Sequence, residues 1–491
     1  MAISFNQIPI LLRTPGAYTE YDNSRAVQGL SALPNKVLLI GAMESGEGTA
    51  GVHYPISSKD DGPRLFGRGS QLAHMVDYFK RANGLVECWA VGLADGGGAV
   101  AKVFELTFGG TATEAGSIKL MVGGRPITVA VAIGDDDEDV ATATAAAIAA
   151  DTDNLFTAAV DGVDANIVDA TARAAGLWTN GLDIRVNYFD KETLPAGITL
   201  AIAADVSGAT DPDLTSTLDA IPESAGYTKI VSGFGGSTAI ADLDTFAEAH
   251  WGPLVQQDVM CYVGVVGNYS TVQAVGAALN SKFVCAVDVG QSPTPAHAVA
   301  AVVAAVDAGE PDPARPRQTL VLPNVLAPGR SQQRSQAQRN LLLQAGISTV
   351  KHDASGKTYI ERLITTYQTN ANSVEDVSYL DVTTMHTLAA LRYTLNARIQ
   401  LKYPRHKLAS DGTIVSPGQP IVTPKVIRGE LIALFDQWAE QGWVEGGSKP
   451  QFMAELVVER NATDVNRVDA IIPPDLMNQF IVFAGQIQFL L

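Results

Sequence analysis

The sequence predicts a multidomain α/β protein with an α/β core, an inserted β-rich domain, an α+β C-terminal domain, and extended N- and C-terminal arms. Short, almost wholly apolar segments alternate with helical stretches, which is typical of a sheet covered on both faces. One long stretch of different composition interrupts this alternation. Both ends of the chain alternate apolar and polar residues without a neighbouring segment to pair with. The 491 residues are enough for several domains.

The α/β core is predicted from residues 31–103 and 206–345. Its strands are expected at 36–41, 86–92, 228–232, 259–267, 283–290 and 319–323, with helices at 69–83, 241–250, 270–281 and 295–308. Between the two halves, residues 104–205 are rich in Ala, Thr, Gly and Asp and poor in Lys and Arg. Because the alternation resumes afterwards, we interpret this stretch as an inserted domain.

Within the insert, residues 116–124 and 126–134 are predicted strands joined by a Gly-Gly-Arg turn, and a helix follows at 138–150. The acidic run from Asp135 to Asp139 stands at the start of that helix, where carboxylates interact favourably with the helix dipole. The run lacks the alternating ligands and the glycine of a calcium-binding EF-hand loop. We therefore interpret it as a solvated helix start.

The C-terminal domain is predicted at residues 346–478. A hairpin is expected around the turn at 353–357, and helices at 381–403 and 425–441. Thr423 is a plausible N-cap of the second helix, Pro424 suits its first turn, and Gly442 ends it. The apolar stripe of this helix predicts packing in a core.

Residues 1–30 and 479–491 are predicted to be arms. Prolines interrupt the first arm, which confines any strand there to a sheet edge. The last residues alternate between apolar and Gln side chains, and an apolar terminal strand needs a sheet to join. The apolar candidates for contacts are Ile3, Phe5, Tyr18 and Tyr21 in the N-terminal arm and Phe480, Val482, Ile487, Phe489 and Leu491 in the C-terminal arm.

Composition excludes several classes of function. The net charge of −18 argues against direct nucleic-acid binding, because such proteins are usually basic. Three cysteines (Cys88, Cys261 and Cys285) without a CxxC pair predict buried free thiols in a reducing compartment. The N-terminus lacks signal-peptide features, and no apolar run reaches membrane-spanning length. The chain is therefore expected to be cytosolic when made, without stable membrane insertion.

No catalytic, metal or cofactor site is predicted. The glycine-rich segment 41–48 follows a strand but lacks the Gly-Lys-Ser/Thr of a phosphate loop, and Glu44 and Glu47 would repel phosphate. The seven histidines show neither HxxxH nor HExxH spacing, and the GxSxG nucleophile motif is absent from the sequence. An α/β enzyme with a site assembled from distant residues remains an open alternative.

One charge feature stands out in this acidic chain. Between Arg392 and Ser410 there are five basic residues and no acidic residue. They either belong to a solvated or internally ion-paired helix face, or they form a docking patch for an acidic protein surface. The five residues are Arg392, Arg398, Lys402, Arg405 and Lys407.

The chain resembles the tail sheath proteins of contractile phages, particularly the Mu-like group. The most specific stretches are LRYTLNARIQLKYPRHKLASDGT (391–413), VTPKVIRGELIALFDQWAEQGWVE (422–445) and LVVERNATDVNRVDAIIPPDLMNQFIVFAGQIQFLL (456–491). RTPGAYTEYDNSRAV (13–27) resembles the opening segment of the family, and the insert resembles its counterpart. The resemblance covers nearly the whole chain through the order and spacing of these stretches.

This resemblance implies a sheath subunit. Such subunits form six-membered rings that stack into a helical sleeve around a tail tube, and contraction drives the tube through the host envelope. The arms of one subunit would add strands to the C-terminal domain of another. For such a subunit we further expect the basic patch to face the tube in the extended state, and the insert to lie outside because it must not obstruct the arms or the tube. Implied partners are further copies, the tail tube protein, and the baseplate and tail-terminator proteins. The implied location is the tail of a phage or phage-like particle assembled in the bacterial cytoplasm. Another tail component, such as a tube or baseplate protein, remains the alternative.

Overall fold

The computed structural model of the protein describes residues 13–19, 30, 33–414 and 418–490. The strands in this part of the chain are β1 (Lys36–Ala42), β2 (His53–Ile56), β3 (Glu87–Leu93), β4 (Val103–Gly110), β5 (Gly116–Val122), β6 (Arg125–Val131), β7 (Phe156–Val160), β8 (Ile167–Ala172), β9 (Ile184–Val186), β10 (Ile198–Val206), β11 (Lys229–Ser232), β12 (Met260–Val266), β13 (Val284–Gly290), β14 (Val321–Leu326), β15 (Ile347–His352), β16 (Lys357–Arg362), β17 (Lys407–Leu408), β18 (Ile421–Val422), β19 (Val457–Arg460) and β20 (Val468–Ile471). The α-helices are α1 (Asp61–Phe66), α2 (Gln71–Ala82), α3 (Asp137–Ala150), α4 (Thr215–Asp219), α5 (Ser237–Trp251), α6 (Tyr269–Ala277), α7 (Ala296–Ala308), α8 (Gln336–Gln344), α9 (Val382–Lys402), α10 (Pro424–Glu440) and α11 (Lys449–Glu455).

Two compact units make up the chain. The larger unit contains residues 34–312 and 317–385, and the smaller unit contains 1–33, 313–316 and 386–491. The sequence places a domain boundary at 345/346, whereas the units divide at 385/386. The difference arises because β15 pairs in parallel with β13, so the predicted hairpin of β15 and β16 extends the large sheet.

A nine-stranded sheet organises the larger unit, in the order β14-β16-β15-β13-β12-β11-β1-β3-β2. The strands from β13 to β3 run parallel, and the antiparallel β2 lies at one edge. The chain leaves β1 through α2 towards β3 and leaves β11 through α5 in the opposite direction. Because such crossovers are right-handed, these two helices cover opposite faces. This explains why β1, β12 and β13 are apolar along almost their whole length.

A buried ionic cluster links this sheet to α7. The Asp307 carboxylate accepts hydrogen bonds from the Tyr262 hydroxyl and from Nε of Arg317, both at 2.6 Å. The Lys229 ammonium lies 3.6 Å from the same carboxylate. Burial lowers the pKa of Lys229, and burial together with Asp307 raises the pKa of Tyr262 well above its usual value. The carboxylate therefore compensates two cations that are shielded from water.

Strands β4 to β10 and helix α3 form a subdomain with its own hydrophobic core. One sheet has the order β10-β4-β8-β7 and the other has β6-β5-β9. At the start of α3, Asp136 accepts a hydrogen bond from the backbone N–H of Asp139 at 3.0 Å. The acidic run thus stands at the start of the helix, as predicted, and Asp136 is its N-cap. The core residues include Leu106, Phe108, Ile118, Val129, Ile148 and Phe156.

Polar and aromatic contacts fix this subdomain to the rest of the larger unit. Arg68 pairs with Asp153 at 2.9 Å, and Nη2 of Arg185 donates to the carbonyl oxygen of Gln291 at 3.1 Å. The Trp178 ring meets the His297 ring edge-on at 5.6 Å. The subdomain therefore belongs to the same compact unit as the large sheet.

Two buried histidines lie beside this contact. Nδ1 of His74 on α2 lies 3.1 Å from Nε2 of His297 on α7, so one ring donates to the other. Nε2 of His74 is buried without a hydrogen-bond partner among the described residues. Burial lowers the pKa of His74 to about 3, with Arg125 and Arg81 acting in the same direction and Asp151 opposing them. Burial and His74 together lower the pKa of His297 well below its usual value.

Acid should therefore destabilise the larger unit through these histidines. Both pKa values are lower in the folded chain than in the unfolded chain, so unfolding takes up protons below pH 6.5. For each histidine that stays neutral in the folded chain, the free energy of unfolding falls by up to ~1.4 kcal/mol for every pH unit below 6.5. Urea unfolding at pH 7 and pH 4.5 should show a smaller acid-induced loss for His74→Leu/His297→Leu than for the natural chain. Equal losses would contradict this explanation.

In the smaller unit, helices α9 and α10 share an apolar core with α11. Nε1 of Trp438 donates to Oγ1 of Thr394 at 2.9 Å, and the Phe435 and Phe452 rings stack at 4.4 Å. Thr423 caps α10 by accepting from the backbone N–H of Val426 at 3.4 Å. The predicted cap and the predicted core stripe of this helix are confirmed.

Candidate assembly surfaces

The C-terminal arm (479–491) presents apolar side chains to solvent. The backbone N–H of Met477 still donates to the carbonyl oxygen of Trp443 at 3.0 Å. Residues 478–490 then form neither helix nor strand. Ile487 is 92% exposed and Phe489 is 78% exposed. Phe480 and Val482 are exposed as well, and so are Phe483 and Leu490, which the sequence analysis did not select.

The N-terminal arm is described only in part. The Tyr18 side chain is exposed, and its hydroxyl donates to the carbonyl oxygen of Thr14 at 3.3 Å. Leu30 and Leu33 pack against the apolar core of the smaller unit. The other predicted contact residues, Ile3, Phe5 and Tyr21, lie outside the described residues, as does Leu491 of the C-terminal arm.

A two-stranded sheet in the smaller unit has open edges. Strands β19 and β20 pair antiparallel with each other, and within the described part of the chain neither pairs with a third strand. Val457 is 43% exposed and Ile471 is 64% exposed. An edge of this kind offers unpaired backbone N–H and C=O groups to an additional strand. The amino-acid sequence alone did not identify the β19–β20 hairpin as a candidate acceptor of a strand from another subunit.

The five predicted tube-contact residues occupy different environments. Glu430 on α10 binds two of them, at 2.9 Å from Arg398 and 2.7 Å from Lys402. Arg392 is partly buried and also has contacts within the chain. Arg405 and Lys407 are exposed and form no ion pair with any described residue. These last two are thus the members of the patch whose charges are available to another surface.

The local charge balance favours such a contact. Residues 386–491 carry ten basic and ten acidic side chains, so this segment is neutral although the whole chain has a net charge of −18. Arg405 and Lys407 therefore lie in a segment that does not share the strong net negative charge of the whole chain.

The crevice at which open α/β sheets commonly hold ligands is filled by a side chain. It lies at the carboxyl ends of β1 and β11, where the strand order reverses. Oε1 of Gln71 accepts from the backbone N–H of Ala42, and its Nε2 donates to the carbonyl oxygen of Gly233, both at 2.8 Å. A Cβ at Gly233 would lie 2.6 Å from Oε1 of Gln71, which explains the glycine. Gln71 thus occupies two backbone groups, one from each strand end, that would otherwise face the crevice.

An open cleft of about 650 Å³ lies next to the glycine-rich segment. Glu44 and Glu47 line it, and burial and Asp95 raise the pKa of Glu44. Arg64 pairs with Glu47 at 2.7 Å, and Arg68 pairs with Asp153 at 2.9 Å. Two arginines of this cleft are thus already bound to carboxylates of the chain.

Other features of the described residues also bear on function. The three cysteines are buried as free thiols, and burial raises the pKa of Cys88 and Cys285 to about 12. In the described part of the chain, no cluster of three or more His, Cys, Asp or Glu side chains is arranged to hold a metal ion. Among the described helices, none combines the length and the apolar character that crossing a bilayer requires.

Comparison with known proteins identifies the family. Residues 207–366 match the central domain of phage tail sheath proteins, and residues 374–490 match the phage tail sheath C-terminal domain. The Mu-like prophage FluMu tail sheath protein of Haemophilus influenzae is 38% identical over 494 residues that span all of both chains. The chain therefore belongs to the tail sheath proteins of contractile phages. The match also confirms the resemblance to the Mu-like group, and it makes the chain a structural component of a phage or phage-like tail.

Solved structures share the fold at low sequence identity. The crystal structure of the sheath tail protein from Desulfitobacterium hafniense has a TM-score of 0.51 at 13% identity, covering 95% of this chain and 97% of that one. A chain in the cryo-EM structure of the anti-feeding prophage baseplate has a TM-score of 0.50 at 11% identity, covering 98% and 100%. The predicted multidomain α/β architecture is confirmed.

Proposed function

We propose that this chain polymerises into a helical sleeve of stacked six-membered rings around a tail tube and contracts to drive the tube through the host envelope. The observation that carries the proposal is an exposed apolar arm in the same chain as a two-stranded sheet with open edges. In the cell, the subunit would be made in the bacterial cytoplasm and assembled there into the tail. Its partners would be further copies, the tail tube, the baseplate and the tail terminator.

Strand addition would link the subunits. Residues 480–490 of one copy would pair along the edge of β19 or β20 in another, with alternate side chains entering apolar pockets. The N-terminal arm would add to the same sheet from a second neighbour. The donor arm and the acceptor edge are different surfaces, so two linked subunits still have one unused arm and one unused edge. Adding further subunits through these surfaces generates an open helical array when the contacts do not close into a ring.

Contraction would use energy stored during assembly. Two packings of the same subunits that differ in free energy are sufficient, provided that the arms keep neighbours connected. Such a mechanism uses no nucleotide, which is compatible with the filled crevice at Gln71.

Negative-stain electron microscopy of the purified chain tests the proposal. Sleeves are expected from the chain alone or after tail tube and baseplate are supplied. If no sleeve forms even with both partners, the polymerisation proposal fails, and another tail component becomes the better assignment.

We expect the exposed cations Arg405 and Lys407 to contribute to binding of the tail tube. Exposed ion pairs are worth about 0–1 kcal/mol each and weaken in salt, so many repeats would hold the sleeve yet allow its release. Arg405→Glu/Lys407→Glu should reduce co-assembly with the tube, as measured by co-sedimentation at low salt.

A charge-reversal control outside the patch is Lys59→Glu, which changes an exposed side chain in the larger unit. It should leave co-assembly unchanged, and both variants should form sleeves without a tube if the natural chain does so. Normal tube binding by Arg405→Glu/Lys407→Glu would remove these residues from the proposed contact.

A further inference from the structure

Several side-chain and backbone contacts hold the start of β1. Its first residue, Lys36, follows directly on the segment in which the chain enters the larger unit, between Leu33 and Pro34. The Lys36 ammonium donates to the carbonyl oxygen of Ala225 at 3.0 Å and lies 3.5 Å from the Glu87 carboxylate. It also lies over the Trp89 ring, 4.3 Å from the centroid.

Further contacts surround the same point. The Tyr227 ring centroid lies 4.8 Å from the Lys36 ammonium. The backbone N–H of Lys36 donates to Oγ1 of Thr228 at 3.2 Å, and its carbonyl oxygen accepts from the backbone N–H of Thr228 at 2.9 Å. Nδ2 of the preceding Asn35 donates to the carbonyl oxygen of Ala308 at 2.5 Å. Two adjacent residues thus contact β3, the segment before β11, and the end of α7.

We propose that Asn35 and Lys36 form a mechanical anchor that transmits tension from the N-terminal arm into the nine-stranded sheet. This inference rests on the proposed function, since the arm carries tension only if it links subunits. Strand β1 lies between β3 and β11, and both pair with it in parallel. Tension on the arm therefore reaches the hydrogen bonds at the start of β1 first within the larger unit. Lys36 spreads that tension over both neighbouring strands.

The same unit contains a matched control in Lys282. Its ammonium lies 4.1 Å from the centroid of the Trp251 ring and 3.1 Å from the Glu248 carboxylate. The Lys282 side chain is 18% exposed and that of Lys36 is 19% exposed, and their carboxylate partners are 58% and 59% exposed. Lys282 also precedes a parallel strand, β13, but no arm enters there. Loss of either ammonium should therefore lower thermal stability by a similar amount, while only Lys36 should affect resistance to tension on the arm.

Single-molecule pulling tests the anchor. One handle is placed at the N-terminus and the other on a cysteine introduced at the exposed Gly162 of the insert. Lys36→Met should increase the unfolding rate at constant force about tenfold, as expected when a cation–π contact and an ion pair of together ~1.4 kcal/mol are lost. Lys282→Met should leave that rate unchanged, and Lys36→Arg, which keeps the charge and the ring contact, should restore it.

An equal rate for Lys36→Met and Lys282→Met would overturn the proposal. If Lys36→Met does not fold, Asn35→Ala provides the same comparison, because it removes only the hydrogen bond to Ala308. Sleeve formation by the same variants is scored separately by electron microscopy. Absence of sleeves from the natural chain, even with tail tube and baseplate supplied, contradicts the proposed function, whereas an unchanged rate under force contradicts the anchor.

Discussion

Ile487→Asp/Phe489→Asp should abolish sleeve formation while leaving the isolated chain folded. Both side chains are largely exposed in the single chain, so the substitutions cost the monomer little. In a strand-exchanged contact, each large apolar side chain contributes about 1.5–3 kcal/mol of burial, and an unpaired carboxylate adds a desolvation cost. The linking contact should therefore weaken more than ~100-fold. Electron microscopy scores sleeves, and thermal unfolding verifies that the monomer is intact.

The alternation of the arm supplies the matched control. Gln486→Asp/Gln488→Asp adds the same two charges on the opposite face of the predicted strand. This variant should still form sleeves, because that face is expected to remain in water. Loss of sleeves in both variants would indicate a general charge effect, and persistence in both would exclude the C-terminal arm as the essential link. Removal of residues 479–491 should reproduce the first variant.

Asp307→Asn should greatly lower the free energy of unfolding of the larger unit. The carboxylate is fully buried and compensates Arg317 and Lys229, which are almost fully buried themselves. Asparagine keeps the shape but removes the buried negative charge that lies beside both cations. Breaking a buried ion pair from one side typically costs 3–5 kcal/mol. Urea unfolding at pH 7 should show a loss of about this size.

Glu47→Gln is the corresponding surface control. Its carboxylate pairs with Arg64 at 2.7 Å, but both side chains are at least half exposed. Exposed pairs contribute about 0–1 kcal/mol. Similar losses for Asp307→Asn and Glu47→Gln would show that the cluster at Asp307 is better solvated than its burial indicates.

The sequence predicted the elements whose signals are local. The apolar runs of β1, β12 and β13 are long enough to exclude a one-sided sheet, so burial on both faces followed from composition alone. Thr423 and Pro424 marked the start of α10 because an N-cap hydroxyl and a first-turn proline each satisfy a constraint within one helical turn. The exposed apolar character of the C-terminal arm was likewise visible in its alternation.

Other features depended on contacts between residues far apart in the chain. Gln71 fills the crevice by bonding to Gly233, and His74 meets His297, yet neither residue carries a local pattern that names its partner. The sequence also left open whether the basic residues between Arg392 and Ser410 are ion-paired within the chain. Glu430 lies on another helix and neutralises Arg398 and Lys402 only once α9 and α10 pack.

The amino-acid sequence by itself determined the fold class, the family and the existence of an apolar arm, since each of these is recorded in composition, periodicity or the order of motifs. The tertiary structure decided which charges are available to a partner, which strands have open edges, and where the chain is fixed as it enters the sheet. The physical reason is that hydrogen bonds, ion pairs and burial depend on distances in space, and two side chains more than a hundred residues apart acquire such a distance only when the chain folds.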